Sequence, residues 1–323
     1  MKFVIAGGSG ALGRAVADHR TRLGDDVVVL TRRSTGASGA REVLWDGESP
    51  GPWQQELDGA VLLNLAGEIV DQRPTRRTIN RLAESRVRPT RALVEAARQA
   101  PPIRWLQMST TAIYGDGGDT VIREGYPVRE GPAQMTGVAT AWERAAHPAA
   151  ALTSQVILHT GIVLQANTPA LDRLLSMTRW GLGGRVGPGT QWITWLHIAD
   201  FLGIVDALVS GDGAMEGDGA THGLGTIDGV VHVCTPGPVR NAELMAQLRH
   251  ALGRGWAPPT PAPLVRLGAP LLGTDAKLAL LGRRCLPQRL TDGGYEFRYP
   301  ELGAAISDLI SEAQLSKAQA AKA

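Results

Sequence analysis

The sequence predicts an α/β protein: a doubly wound parallel sheet followed by a smaller α+β domain. Three observations predict it. Short apolar runs alternate with amphipathic helical patterns through the first half of the chain, the rhythm of βαβ units. Most of those runs are continuous Val, Ile and Leu, as strands covered on both faces require. The first run leads straight into Gly7-Gly8-Ser9-Gly10-Ala11-Leu12-Gly13, a glycine-rich strand-to-helix turn.

Taken in order, residues 3–6 form the first strand, and the glycine turn opens a helix over about 11–23. Residues 26–31 (DVVVLT) are the second strand, 42–45 a short third, and 60–64 (AVLLN) the fourth. A long helix over about 75–99 leads to a fifth strand at 104–108. A helix over roughly 133–146 leads to a sixth at 155–159. After Val163 the pattern loosens into a helix near 169–180, a Gly-rich bend at 181–189 and a strand-like run at 192–195. The glycine-rich stretch 211–229 reads as a solvent loop. Residues 241–252 form another helix, 258–263 a Pro-rich connector, and 316–323 a frayed tail. The implied division is 1–165 for a nucleotide-binding domain and 166–315 for a smaller cleft domain, some of whose segments return to the first, with 316–323 as tail.

Bulk properties narrow the function. The 323 residues carry 33 Lys+Arg against 31 Asp+Glu, a formal net charge of +2. That balance points to neither nucleic acid nor a membrane surface as partner. Cys234 and Cys285 lie far apart without metal-binding spacing, which fits a reducing, cytoplasmic setting. No run approaches the ~18 apolar residues of a membrane span, and the N-terminus lacks the apolar core of a signal peptide. No His/Cys/Asp/Glu spacing resembles a metal site. Oligomeric state is not legible.

The glycine turn follows a strand and opens a helix, the placement of a Rossmann dinucleotide-binding turn. Gly7 allows the tight turn, Gly10 lets a diphosphate approach the backbone, and Gly13 lets helix pack on strand. The helix N-terminus, including the N–H groups of Ala11 and Leu12, then faces the anion. A turn with no ligand is the plain alternative. At the end of the second strand, Leu30-Thr31-Arg32-Arg33-Ser34 has no acid to hold a ribose 2′-hydroxyl. Arg32 suits a 2′-phosphate, so the cofactor expected is NADP(H); a solvated surface charge is the alternative. Asp46 reads equally as an adenine contact or a turn residue.

Four further stretches carry a family resemblance. They are Asn64-Leu65-Ala66-Gly67-Glu68, Gly181-Leu182-Gly183-Gly184, Gln191-Trp192-Ile193-Thr194-Trp195-Leu196-His197-Ile198-Ala199-Asp200, and Leu286-Pro287-Gln288-Arg289 running into Tyr295-Glu296-Phe297-Arg298-Tyr299-Pro300-Glu301-Leu302. With them the chain resembles the extended short-chain dehydrogenase/reductases, and among these the atypical epimerase-family subgroup with a distinctive C-terminal segment. The resemblance implies a Rossmann domain with a smaller domain closing over a substrate cleft. It implies that Thr31 and Arg32 hold the 2′-phosphate end and that Leu65, Ala66 and Gly67 pass beneath the cofactor. Thr160 to Val163 would lie near the nicotinamide.

Ordinary members of that superfamily use a Ser or Thr, a Tyr and a Lys, the Lys lowering the phenol pKa. Ser109-Thr110-Thr111-Ala112-Ile113-Tyr114-Gly115 resembles the hydroxyl-bearing strand end, with Thr110 in the catalytic hydroxyl role or, alternatively, as a turn cap. The Tyr-x-x-x-Lys helix is altered. Counting back from Glu143 puts Met135 and Ala139 where Tyr and Lys belong, and neither can move a proton. Tyr114 holds a place that is structural in its motif. Arg86 replaces the superfamily's helix Asn and could contact cofactor or substrate oxygens. Glu68 is a candidate substitute base if burial raises its pKa, and otherwise a solvated carboxylate. His197 reads as structural. These observations point to an NADP(H)-binding, oxidoreductase- or epimerase-like protein acting on an unidentified small molecule. The alternative is a catalytically silent NADP(H)-binding sensor or scaffold.

Overall fold

The computed structural model describes residues 1–34, 36, 39–210 and 224–320. The first half runs β1 (Lys2–Ala6), α1 (Ala11–Arg22), β2 (Asp26–Thr31), β3 (Arg41–Leu44), β4 (Val61–Asn64), α2 (Arg76–Ala97), β5 (Arg104–Thr110), β6 (Val121–Ile122), α3 (Val138–Ala146) and β7 (Ser154–Thr160). The second runs β8 (Ile162–Leu164), α4 (Pro169–Arg179), β9 (Trp192–Ile193), β10 (Trp195–His197), α5 (Ile198–Val209), β11 (Gly229–Val233) and β12 (Val239–Arg240). It closes with α6 (Asn241–Ala251), α7 (Ala262–Leu271), α8 (Ala276–Leu280), β13 (Arg284–Cys285), α9 (Gln288–Asp292) and α10 (Leu302–Ala320).

Seven strands pair in parallel in the order β11-β7-β5-β4-β1-β2-β3. Successive strand residues feed opposite faces, as the period of two demands. Phe3, Ile5, Val29, Leu63 and Leu106 pack on one face with Val16 of α1 and Phe201, Ile204 and Leu208 of α5. Val4, Ala6, Val28, Leu30 and Leu62 pack on the other with Ala92, Leu93 and Ala96 of α2. Both faces are dry, which explains the unbroken aliphatic runs in the sequence.

The structure corrects several sequence expectations. A seventh strand, β11, pairs with β7 over Val156 to Thr160. The sequence reading assigned no strand to Val230-Val231-His232-Val233, because a four-residue apolar run after many glycines carries no periodicity of its own. The expected loop at 211–229 lies largely outside the described residues, which resume at Leu224. The run at 192–195 is not one strand: β9 pairs antiparallel with β12, while β10 pairs parallel with β8. The helix expected over 133–146 begins as a π-helical turn, Ala133–Gly137, before α3. The tail is helical, since α10 extends to Ala320; residues 321–323 lie outside the described set. Among the described residues, no helix is long and apolar enough to cross a membrane.

Candidate functional site

In the sheet order, β1 lies between β4 and β2, so the chain winds outward in both directions from β1. The crevice beyond the carboxyl ends of β1 and β4 is where such sheets bind ligands. A cleft of about 860 Å³ opens there. Gly7, Gly10, Ala11, Leu12, Gly13, Thr31, Arg32, Leu65, Ala66, Gly67, Glu68, Arg86, Thr110, Thr160 and Val163 all line it. The fold thus gathers the sequence-nominated residues from segments spread across the whole first half.

The glycine turn has the shape that its spacing requires. Gly7 has φ +83°, and a Cβ there would stand 2.7 Å from the Leu65 carbonyl carbon. A Cβ on Gly13 would stand 2.5 Å from Gly8 Cα, so the helix can sit this close to the turn only without one. A Cβ on Gly10 would meet only Gly7 O at 3.5 Å; its bareness serves the open side of the turn. Helix α1 has no acidic residue in its first turn and no side-chain cap, which leaves its N-terminal N–H groups and dipole for an anion. The turn therefore fits a dinucleotide diphosphate.

At the end of β2, Thr31 Oγ1 donates to Arg33 O at 2.8 Å and accepts from Arg33 N at 3.3 Å, fixing the local bend. Arg32 is exposed at the cleft and has no hydrogen-bond or ion-pair partner among the described residues. Asp46 settles into the turn role: its Oδ1 accepts from Glu48 N at 2.8 Å and Ser49 N at 2.7 Å. Those two N–H groups also hold its carboxyl below the usual range.

The floor of the cleft rests on a buried polar knot. Asn64 Nδ2 donates to Thr90 Oγ1 at 2.8 Å and to Gln107 Oε1 at 2.9 Å, and its own Oδ1 accepts from Ala66 N at 3.1 Å. The Asn64 side chain thereby sets the path of Leu65 to Gly67. Arg86 is buried, with Nη1 donating to Leu82 O and Nη2 to Glu68 O, its guanidinium 5.1 Å from the Trp142 ring. Burial pushes Arg86 down to about 10. A Cβ on Gly67 would lie 2.9 Å from Arg86 Cζ, so glycine is needed for this approach. One Arg86 donor, Nη2, therefore holds the 65–68 segment, while Nη1 is spent on its own helix.

Glu68 lines the cleft with its side chain 37% exposed and paired with Arg81 at 2.9 Å. His197 caps α5, its Nδ1 accepting from Ala199 N at 3.1 Å. Burial pushes its imidazole down to about 4.

Thr110 Oγ1 accepts from Ala112 N at 3.1 Å, which caps the turn after β5. Its hydroxyl has no acceptor among the described residues, and Thr110 lines the cleft. Met135 and Ala139 both line the cleft and are buried, giving an apolar wall where a Tyr and Lys would stand.

Behind that wall is a buried chain that sequence reasoning missed. Ser109 Oγ donates to Glu143 Oε1, and Glu143 Oε1 stands 2.8 Å from His159 Nε2. His159 Nδ1 is 2.8 Å from the Tyr114 hydroxyl, which is 2.7 Å from His232 Nε2. His232 Nδ1 donates to Leu286 O at 3.0 Å. Burial pushes the Tyr114 phenol above its ordinary range and His232 down to about 4. The members come from β5, α3, β7, β11 and the loop after β13, so no local spacing could reveal them. Tyr114 does not line the cleft.

Comparison with known proteins gives consistent results. Residues 3–137 match the NAD dependent epimerase/dehydratase family, and residues 260–309 match a domain of unknown function, DUF1731. Human epimerase family protein SDR39U1 is 31% identical over 318 residues, covering 96% of this chain and 100% of the relative. The crystal structure of human SDR39U1 (isoform 2) with NADPH superposes with a TM-score of 0.80 at 27% identity, covering 97% of this chain and 99% of that one. A nucleoside-diphosphate sugar epimerase from Corynebacterium glutamicum gives 0.73 at 26% identity, over 98% of this chain and 61% of that chain.

Proposed function

Because the chain belongs to the epimerase family that includes human SDR39U1, with its NAD(P)-binding fold, we propose that it binds NADP(H) in this cleft and acts on a small molecule as an oxidoreductase or epimerase. The observation that carries the choice of cofactor is Arg32: a guanidinium at the end of β2 with no partner among the described residues, and no carboxylate in the Thr31-to-Ser34 turn to favour a ribose hydroxyl. In this reading Gly7, Gly10, Ala11, Leu12 and Gly13 hold the diphosphate, and Thr31 and Arg32 hold the 2′-phosphate. Leu65, Ala66 and Gly67 pass beneath the nucleotide, and Thr160 and Val163 border the nicotinamide end. The NADPH in the human relative's crystal structure supports it. The two free, buried cysteines fit a reducing cytoplasm.

The bound nucleotide would supply or accept hydride. The chain contributes the Thr110 hydroxyl as donor to a substrate oxygen, and the wall of Met135 and Ala139 keeps water from that side of the cleft. A second reading, an NADP(H) sensor without turnover, draws on the same Met135 and Ala139, which cannot relay protons.

Titration of NADPH into folded protein, followed by nicotinamide fluorescence and melting temperature, tests the binding. A saturable signal stronger than that with NADH supports it, and no signal ends it. Transfer of deuteride from labelled NADPH to any metabolite of a cell extract separates enzyme from sensor.

A further inference from the structure

We propose that Arg283 is the anion-recognition residue of this cleft, so that the small molecule bound beside the nucleotide carries a carboxylate or phosphate group. The proposal rests on the cleft being the NADP(H) site, and it names the class of the second ligand.

Arg283 lines the cleft and is 9% exposed. Its backbone is fixed on both sides: Arg283 N donates to Trp192 O at 3.2 Å, and its carbonyl accepts from Thr194 Oγ1 at 2.7 Å. Its guanidinium has five N–H donors, yet forms no hydrogen bond or ion pair among the described residues. None of its nitrogens is among the sealed unsatisfied side-chain atoms, so they keep some solvent access on a residue that lines the cleft. A buried guanidinium is costly unless something pairs with it. Other cleft arginines show what pairing looks like here: Arg81 holds Glu68, and Arg88 holds Glu48 and Glu84.

The surroundings favour a negative ligand. Asp46, Glu48, Glu68 and Glu84 are the carboxylates lining the cleft among the described residues, and all lie on the β3 to α2 side. Near Arg283, Arg240 and Arg284 flank the Trp192 ring at 4.0 and 4.5 Å, and Arg240 is paired with Asp119 at 2.5 Å. Asp116 acts on Arg283 electrostatically without reaching ion-pair distance. Arg32 stands at the end of β2, whereas Arg283 packs against Gly117, beyond β5. Three strand spacings, roughly 14 Å, separate the ends of β2 and β5. The two arginines therefore belong to different strand ends of the cleft.

The test uses NADPH-saturated protein, so that the nucleotide's own phosphate sites are filled, with inorganic phosphate and acetate as probes at constant ionic strength. Melting temperature and nicotinamide fluorescence are the readouts. We expect saturable binding of at least one probe, weakened about 10- to 100-fold by Arg283→Met and unchanged by Arg240→Gln. Which probe binds decides between carboxylate and phosphate. We also expect Arg283→Met to bind NADPH like the wild type and to melt no lower without probe, since it removes an unpaired buried charge. Absence of probe binding overturns the proposal, as does binding that survives Arg283→Met. A fall of several degrees in melting temperature would make Arg283 structural, and lost NADPH affinity would give it to the nucleotide. If the wild type itself does not bind NADPH, the cofactor reading fails instead. The probes are then applied to free protein carrying Arg32→Ala, where the same Arg283→Met comparison decides.

Discussion

Glu143 Oε1 lies 2.8 Å from His159 Nε2, at the start of a buried chain whose further hydrogen bonds have a fixed direction. His232 Nδ1 must carry its proton to reach Leu286 O, and burial keeps that imidazole neutral, so its Nε2 is a bare lone pair. The Tyr114 hydroxyl therefore donates to His232, and its oxygen accepts from His159 Nδ1–H. His159 Nε2 then faces the same Glu143 oxygen that accepts from Ser109.

Substitutions of Glu143 separate this chain from simple packing. Glu143→Gln keeps an oxygen that can accept from Ser109; Glu143→Ala keeps none. Urea unfolding should show a loss of about 1–3 kcal/mol for Ala and less than half of it for Gln. Equal losses would mean that hydrogen-bond continuity is not what Glu143 contributes.

Acid should destabilise the fold well before its carboxylates titrate. The folded chain holds His197 and His232 down at about 4, against an ordinary 6.5. Between those values the unfolded chain binds protons that the folded one does not, so stability falls as pH falls from about 6.5 to 4. His197→Asn keeps a side-chain oxygen to cap α5 but cannot titrate. Its loss of stability between pH 7 and 5 should be smaller than the wild type's by about 1–2 kcal/mol. Identical pH profiles would rule out His197 as a contributor.

Arg32 governs the choice between nicotinamide cofactors. Arg32→Ala should weaken NADPH at least about tenfold, the value of a charge-assisted phosphate contact, and leave NADH unchanged. Fluorescence titration of both cofactors measures it. Equal weakening would remove Arg32 from the 2′-phosphate.

Two glycines of one turn should fail differently. Gly13→Ala puts a methyl 2.5 Å from Gly8 Cα, and this backbone clash should cost about 1–3 kcal/mol of stability together with NADPH binding. Gly10→Ala meets only an ordinary 3.5 Å contact, so the protein should melt near the wild-type temperature while losing NADPH affinity. A Gly10→Ala variant that binds normally would move the diphosphate away from this turn.

Much of the nucleotide half was legible because its determinants are local. A dry parallel strand must be a continuous aliphatic run, a strand-to-helix turn of this tightness must be glycine, and Met135 and Ala139 lack ionisable protons in any fold. Residues 3 to 160 therefore showed six of the sheet's seven strands, the turn, the Arg32 end and the missing Tyr and Lys. The tertiary structure decided everything that depends on partners. Glu68 and Arg283 are both charged residues at a cleft, yet Glu68 is held by Arg81 while Arg283 has no described partner. Strand β11 exists as a strand because β7 offers it an edge, and Tyr114 becomes a buried link because β7 and β11 bring His159 and His232 to its hydroxyl. A charge or a hydroxyl takes its role from what lies within about 3 Å, and in a sheet whose order differs from chain order those neighbours come from a hundred residues away.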